Sequence, residues 1–209
     1  MERPRREEIV NSLTHALATA LAAAAGVWLV LQVNDSGNTP LILACALYGV
    51  GLVGVFLSSA LSHCAITDKG RLRFRQLDQA FIYILIVATY TPFSIVHLRS
   101  PFWWGVLALM WLIAIGGFLS KVMFVHRVDS ASVLGYVALG WIPAMAGLPF
   151  TDLVPTGAMY GIIAGGVLYT TGTLFLLNDR RVWYFHAIWH LFVVAGAAVH
   201  FWTTIEYVI

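Results

Sequence analysis

Seven apolar stretches, each close to the roughly twenty residues that cross a hydrocarbon core, run through this chain from end to end. They fall at Ser12–Val33, Pro40–His63, Leu77–Val96, Pro101–Leu119, Ala131–Leu148, Gly157–Leu177 and Trp183–Tyr207. The connections between them are short and polar. Only 11% of the residues are charged and 60% are hydrophobic, whereas a soluble domain carries about a quarter of its residues as charges. The surface must therefore face lipid. The sequence predicts an all-α integral membrane protein, a seven-transmembrane helix bundle filling residues 1–209 as one domain. Eight Trp and eight Tyr suit aromatic belts at two membrane interfaces.

Arg3, Arg5 and Arg6 before an Ala-rich run resemble a signal peptide. That run extends over about twenty residues and six more spans follow, so it reads as an uncleaved first helix. With the N-terminus in the cytoplasm, the inner side collects Arg3, Arg5, Arg6, Lys69, Arg71, Arg73, Arg75, Lys121, Arg127, Arg180 and Arg181. The outer side keeps only Arg99. Basic residues mark cytoplasmic loops, so the chain is expected N-in and C-out, multi-pass in the cell's inner membrane. The Arg71/Arg73/Arg75 run needs only to set topology and meet anionic headgroups. Membrane lipids are the expected partners, and nucleic acid is not. The oligomeric state cannot be read from the sequence.

Polar residues inside the spans are few and patterned. His186-Ala-Ile-Trp-His190 places two imidazoles four residues apart, one above the other on a helix face. Intramembrane ionisable residues usually face the bundle interior and mark function. Two imidazoles at this spacing can share a metal ion; the alternative is a hydrogen-bonded pair of core histidines. Alternating topology brings four helix ends to one inner level: Glu8, Asn11 and His15 on the first, Ser59 and His63 on the second, Asp78 on the third, and the histidine pair on the seventh. A polar cavity open to the cytoplasm, holding a metal, accounts for all of them.

His63, His186 and His190 suit a tetrahedral zinc with one open position, where a water would have its pKa lowered to about 7. Asp78 is placed to hold that water or take its proton, with Ser59 beside it. Each has a plainer reading. Asp78 and Asn11 are favoured helix caps, Glu8 suits a positive helix N-terminus, and Ser59 suits interhelical packing. His97, His126 and His200 fall away from this level. Cys45 and Cys64 lie nineteen residues apart, roughly 28 Å along one helix, and cannot pair. Cys64 points about 100° away from His63 on a helix, so it is not expected to ligate. The last span holds no lysine, which excludes a retinal Schiff base. Paired broken helices that would suggest a transporter are absent.

These residues are where the chain resembles the haemolysin III proteins, the bacterial branch of the progestin and adipoQ receptor (PAQR) family that includes the adiponectin receptors. The likeness rests on Glu8-x-x-Asn11-x-x-x-His15, Ser59-Ala-Leu-Ser-His63 followed by Asp78, Thr89-Tyr-Thr-Pro-Phe93, and His186-Ala-Ile-Trp-His190-Leu-Phe-Val193. The resemblance implies seven helices, an internal N-terminus and zinc at His63, His186 and His190, with Ser59 and Asp78 alongside. It also implies ceramidase-like hydrolysis of lipid amides from the cytoplasmic leaflet. Ser62, where a Tyr often precedes the His, and Gln79, where a His often follows the Asp, depart from the pattern without removing a ligand. Two other functions compete: a receptor-like or membrane-homeostasis protein with structural zinc, and a pore-forming haemolysin. The fourth to sixth spans offer almost no polar stripe to line a pore.

The basic-residue asymmetry yields a direct test. A reporter that fluoresces only in the cytoplasm should stay dark when fused after Ile209. Bright fluorescence there would refute the N-in, C-out arrangement.

Overall fold

A computed structural model describes residues 5–124, 131–148, 152–179 and 181–209. Arg3, His126, Arg127 and Arg180 lie outside the described residues. Among those described are seven helices: α1 (Arg5–Asn34), α2 (Thr39–Cys64), α3 (Asp68–His97), α4 (Pro101–Met123), α5 (Ala131–Met145), α6 (Thr156–Asn178) and α7 (Phe185–Val208). Six are long and apolar enough to cross a membrane. The exception is α5, with 15 residues. At 1.5 Å per residue it spans roughly 22 Å, short of a hydrocarbon core near 30 Å. The apolar stretch continues to Leu148, but Gly147 adopts a positive φ of 95°. A left-handed residue just past the last turn is a common way to end a helix.

Local chemistry explains several starts. Asn38 Oδ1 accepts from the Leu41 N–H at 3.2 Å, with Pro40 in the first turn of α2. Ser100 Oγ does the same for Trp103 at 3.4 Å, ahead of Pro101. Such caps satisfy amides that have no partner within the helix.

The third helix departs from the sequence expectation. It begins at Asp68 rather than near Leu77, and Thr67 Oγ1 caps it by accepting from the Gly70 N–H at 3.1 Å. Asp68, Lys69, Arg71, Arg73 and Arg75 make its first turns too polar to register as an apolar span, yet nothing in them breaks a helix. Asp78 thus lies ten residues inside α3, which removes its reading as a cap. Asn11 is corrected in the same way: α1 already runs from Arg5, so Asn11 is interior and buried.

On α1, Leu13, Leu17, Leu21 and Leu31 are each 61–65% exposed, while Asn11, His15, Ala18 and Ala22 are buried. Both sets recur at helical spacing. A helix that shows leucine outward and Asn and His inward has lipid, not water, as its solvent. Neighbours in sequence pack side by side: α1 on α2, α2 on α3, α3 on α4, α6 on α7. The ring closes where α7 returns to α1 and α3. The α1–α2 contact depends on two glycines. A Cβ added at Gly26 would lie 2.9 Å from the Gly49 Cα, and one added at Gly49 equally close to the Gly26 Cα. Such approach of small residues is how membrane helices gain packing.

Replacing Gly49 with Val should destabilise the bundle by about 1–3 kcal/mol, the usual range for overpacking. Gly105→Ala, where a Cβ meets open space, serves as the control. Thermal unfolding in detergent should show a lowered midpoint for the first and an unchanged or raised one for the second.

Candidate metal centre

The end of α2 and the start of α7 bring His63, His186 and His190 together. Each offers one ring nitrogen, and the three atoms lie within 4.8 Å of one another. Their positions follow from the helices. His63 is the penultimate residue of α2, and His186 and His190 occupy the first two turns of α7. The rings of His186 and His190 meet edge to face at 4.4 Å between centroids, as i, i+4 neighbours do. Those of His63 and His190 lie 5.1 Å apart. Alternating helix direction thus places a chain-distant histidine beside the pair, as the sequence spacing predicts.

Protonation can be assigned from the partners. His63 Nδ1 lies 2.6 Å from Glu8 Oε2. A carboxylate only accepts, so this nitrogen donates. The other ring nitrogen, Nε2, faces His190 Nε2 at 3.0 Å. His186 Nδ1 similarly donates to Asp179 Oδ2 at 2.8 Å. Two Nε2 atoms at 3.0 Å need a proton or a cation between them. Nitrogens on one tetrahedral ion at about 2.0–2.1 Å would stand roughly 3.3 Å apart, so a slight opening of the pair accommodates the ion.

His15 is 2% exposed and its ring centroid lies 3.9 Å from that of His190. Neither of its nitrogens has a hydrogen-bond partner, and neither amide atom of Asn11, one turn earlier, has one. Ser59, one turn before His63, is fully buried, and its hydroxyl lies beside Asp78. An unsatisfied buried polar group costs on the order of 1–3 kcal/mol. Such groups gathered around three imidazoles fit a site for a metal ion and its polar ligands. Asp78 stands beside Ser59 and within electrostatic reach of Arg75. It is outside the mutually close ligand atoms, which among the described residues are the three imidazoles alone.

Each residue singled out from sequence is thereby located. His63, His186 and His190 come together. Glu8 and His15 touch this cluster, Asn11 is buried a turn from His15, and Asp78 lies beside Ser59, which is one turn before His63. Cys64 approaches Ser12 rather than the imidazoles, and both cysteines are free. His200 and His97 turn elsewhere, bonding the Ile162 and Tyr207 carbonyls. Sequence reasoning missed Asp179. It sits in the short α6–α7 connection, which looked merely polar. An acidic residue seven positions before a metal-type histidine was the available signal.

The family described as Haemolysin-III related matches residues 4–201. The chain belongs to the haemolysin III family. Haemolysin III proteins are integral to membranes, and this chain is a multi-pass membrane member. It is 37% identical over 204 residues to "Hemolysin-3" of Bacillus cereus, covering 98% of this chain and 93% of that one. It is 32% identical to "Hemolysin-3 homolog" of Bacillus subtilis (strain 168), with 97% and 94% covered. The human "Monocyte to macrophage differentiation factor", a PAQR-type protein, is 28% identical, with 96% and 84% covered. No solved structure matches the chain.

The donor geometry predicts one divalent ion per chain in the purified protein. His63→Ala, His186→Ala or His190→Ala should each lower metal content well below half occupancy. His200→Ala and His97→Ala should leave it unchanged. Elemental analysis after dialysis against trace metal distinguishes these outcomes.

Proposed function

We propose that this haemolysin III protein is a zinc-dependent hydrolase of lipid amides, acting at the cytoplasmic leaflet. The observation that carries the proposal is three imidazole donors from α2 and α7 with Asp78 outside their circle. Structural zinc is usually closed by four protein ligands, whereas a catalytic site keeps a position open. The three imidazoles would hold the ion. When bound, zinc supplies Lewis acidity and lowers the pKa of a coordinated water to about 7.

The remaining chemistry belongs to the chain. Asp78, beside the Ser59 hydroxyl, orients the attacking water and accepts its proton. Ser59 fixes the carboxylate. Water oxygen adds to the amide carbon, the C–N bond breaks, and Asp78 returns the proton to the leaving nitrogen. The products are a fatty acid and an amine. Proton transfer by a positioned carboxylate typically contributes 10²–10⁴-fold.

An acyl chain has a place to go. A cavity of about 150 Å³ lies among α3, α5, α6 and α7, lined by Phe93, Trp141, Ile162, Trp189 and Val193 among others. Trp189 is next to His190 in sequence, so the apolar lining begins close to the imidazoles. Pore formation, which the names of the bacterial relatives suggest for those proteins, lacks support in this chain. The spans α4 and α6 have mean hydrophobic character with no continuous polar face.

Asp78→Asn keeps the side-chain size and loses the base. It should retain zinc and lose at least 100-fold in turnover of a ceramide-type amide in mixed micelles. Zinc loss in this variant would make Asp78 a ligand and favour a closed, structural site. Turnover equal to the parent would remove it from the mechanism. A parent inactive on such amides would favour the receptor-like reading.

A further inference from the structure

We infer that Glu8 and Asp179 are positioning residues for the metal, each holding one histidine ligand by its Nδ1 so that Nε2 faces the ion. The inference rests on the proposed metal role of His63, His186 and His190, and adds two residues that do not ligate. Glu8 Oε2 accepts from His63 at 2.6 Å, and Asp179 Oδ2 accepts from His186 at 2.8 Å. All four side chains are withdrawn from solvent, with relative exposures of 3% and 18% in the first pair and 14% and 10% in the second. A carboxylate on the far nitrogen fixes the tautomer and ring orientation, and makes the ligand more basic.

The two carboxylates come from outside the helices' ligand faces. Glu8 belongs to α1, which supplies no ligand. Asp179 follows α6, which supplies none either. Each therefore attaches a further segment to the metal centre through a histidine. The α6–α7 connection is shaped for this. Tyr184 takes a left-handed conformation, φ 62°, immediately before α7, and its carbonyl accepts from the Ile188 N–H at 2.9 Å. A residue with a Cβ adopts that conformation at a cost. The turn brings Asp179 back over the first turn of α7, seven residues from its partner. Strained backbone held by its surroundings often accompanies a functional arrangement.

The test measures zinc affinity of the full-length protein in detergent by competition with a chelator. It also records the visible spectrum of the cobalt-substituted protein and the melting midpoint of protein stripped of metal. Glu8→Ala and Asp179→Ala should each weaken zinc 10–100-fold and shift the cobalt bands, with the stripped-protein midpoint unchanged. Glu8→Gln and Asp179→Asn keep an oxygen acceptor without the charge, and should recover part of the loss. Where an alanine variant fails to fold, the amide variant decides: weaker zinc with an unchanged stripped midpoint supports the assignment. Parental affinity in the variants overturns it. So does an affinity loss matched by a lowered stripped midpoint and not recovered by the amides. Complete loss of zinc would make the carboxylate a ligand and overturn the positioning role. A parent that binds no zinc overturns the metal reading itself, a result distinct from variants that bind as the parent does.

Discussion

Burying an imidazole among apolar helices is unfavourable unless its nitrogens find partners. Four histidines occupy one end of this bundle, and that constraint organises the rest. His63 and His186 each reach a carboxylate, and His63 faces His190. The fourth, His15, packs against His190 without a hydrogen bond of its own. The bundle therefore cannot be read as a shell of helices with incidental polar residues. The helices have to arrive at this end in register, because a rotation of α1 by one residue would carry Glu8 away from His63 and turn His15 toward lipid.

The glycine contact between α1 and α2 serves the same requirement. Gly26 and Gly49 let two backbones touch near the middle of the pair. Close approach there brings the opening turns of α1 alongside the last turns of α2, where Glu8 meets His63. Leucines at Leu13, Leu17 and Leu21 face outward on the same helix. Lipid cannot drive association as water does for soluble helices. Backbone packing at the glycines and hydrogen bonds at the histidines supply the specificity in its place.

The apolar spans and the three histidines were legible in the sequence because each has a strong local signature. Span length follows from bilayer thickness, and His186/His190 announce a shared face by their spacing. Placing His63 beside them needed only alternation of direction. Two other features were not legible. The start of α3 was hidden because hydropathy reports where lipid ends, not where a helix does, and a basic amphipathic stretch continues the same helix beyond that point. Asp179 was hidden because its partner lies across a turn whose course depends on the left-handed Tyr184, and no spacing rule anticipates such a conformation in a tyrosine. The fifth span was overestimated for a related reason: apolar composition persists to Leu148 while Gly147 redirects the backbone.

The layout along α7 bears on what kind of substrate the proposed chemistry would take. Its first two turns carry His186 and His190, and Trp189 and Val193 on the same helix line the apolar cavity. Farther along, His200 borders that cavity; its Nε2 meets the Ile162 carbonyl at 3.1 Å, and its Nδ1 is buried without a hydrogen-bond partner. One helix thus passes from a cluster of hydrogen-bonding groups into an apolar chamber within about two turns. A molecule matching both ends has a polar, cleavable group and a hydrocarbon tail. Water-soluble amides would meet the imidazoles but leave the chamber unfilled, and would forgo roughly 25 cal/mol for each Å² of apolar surface a lipid tail could bury. Under the proposed chemistry, binding energy from the tail would hold the amide at the imidazoles, which is the reason a lipid rather than a small soluble amide is the substrate class proposed.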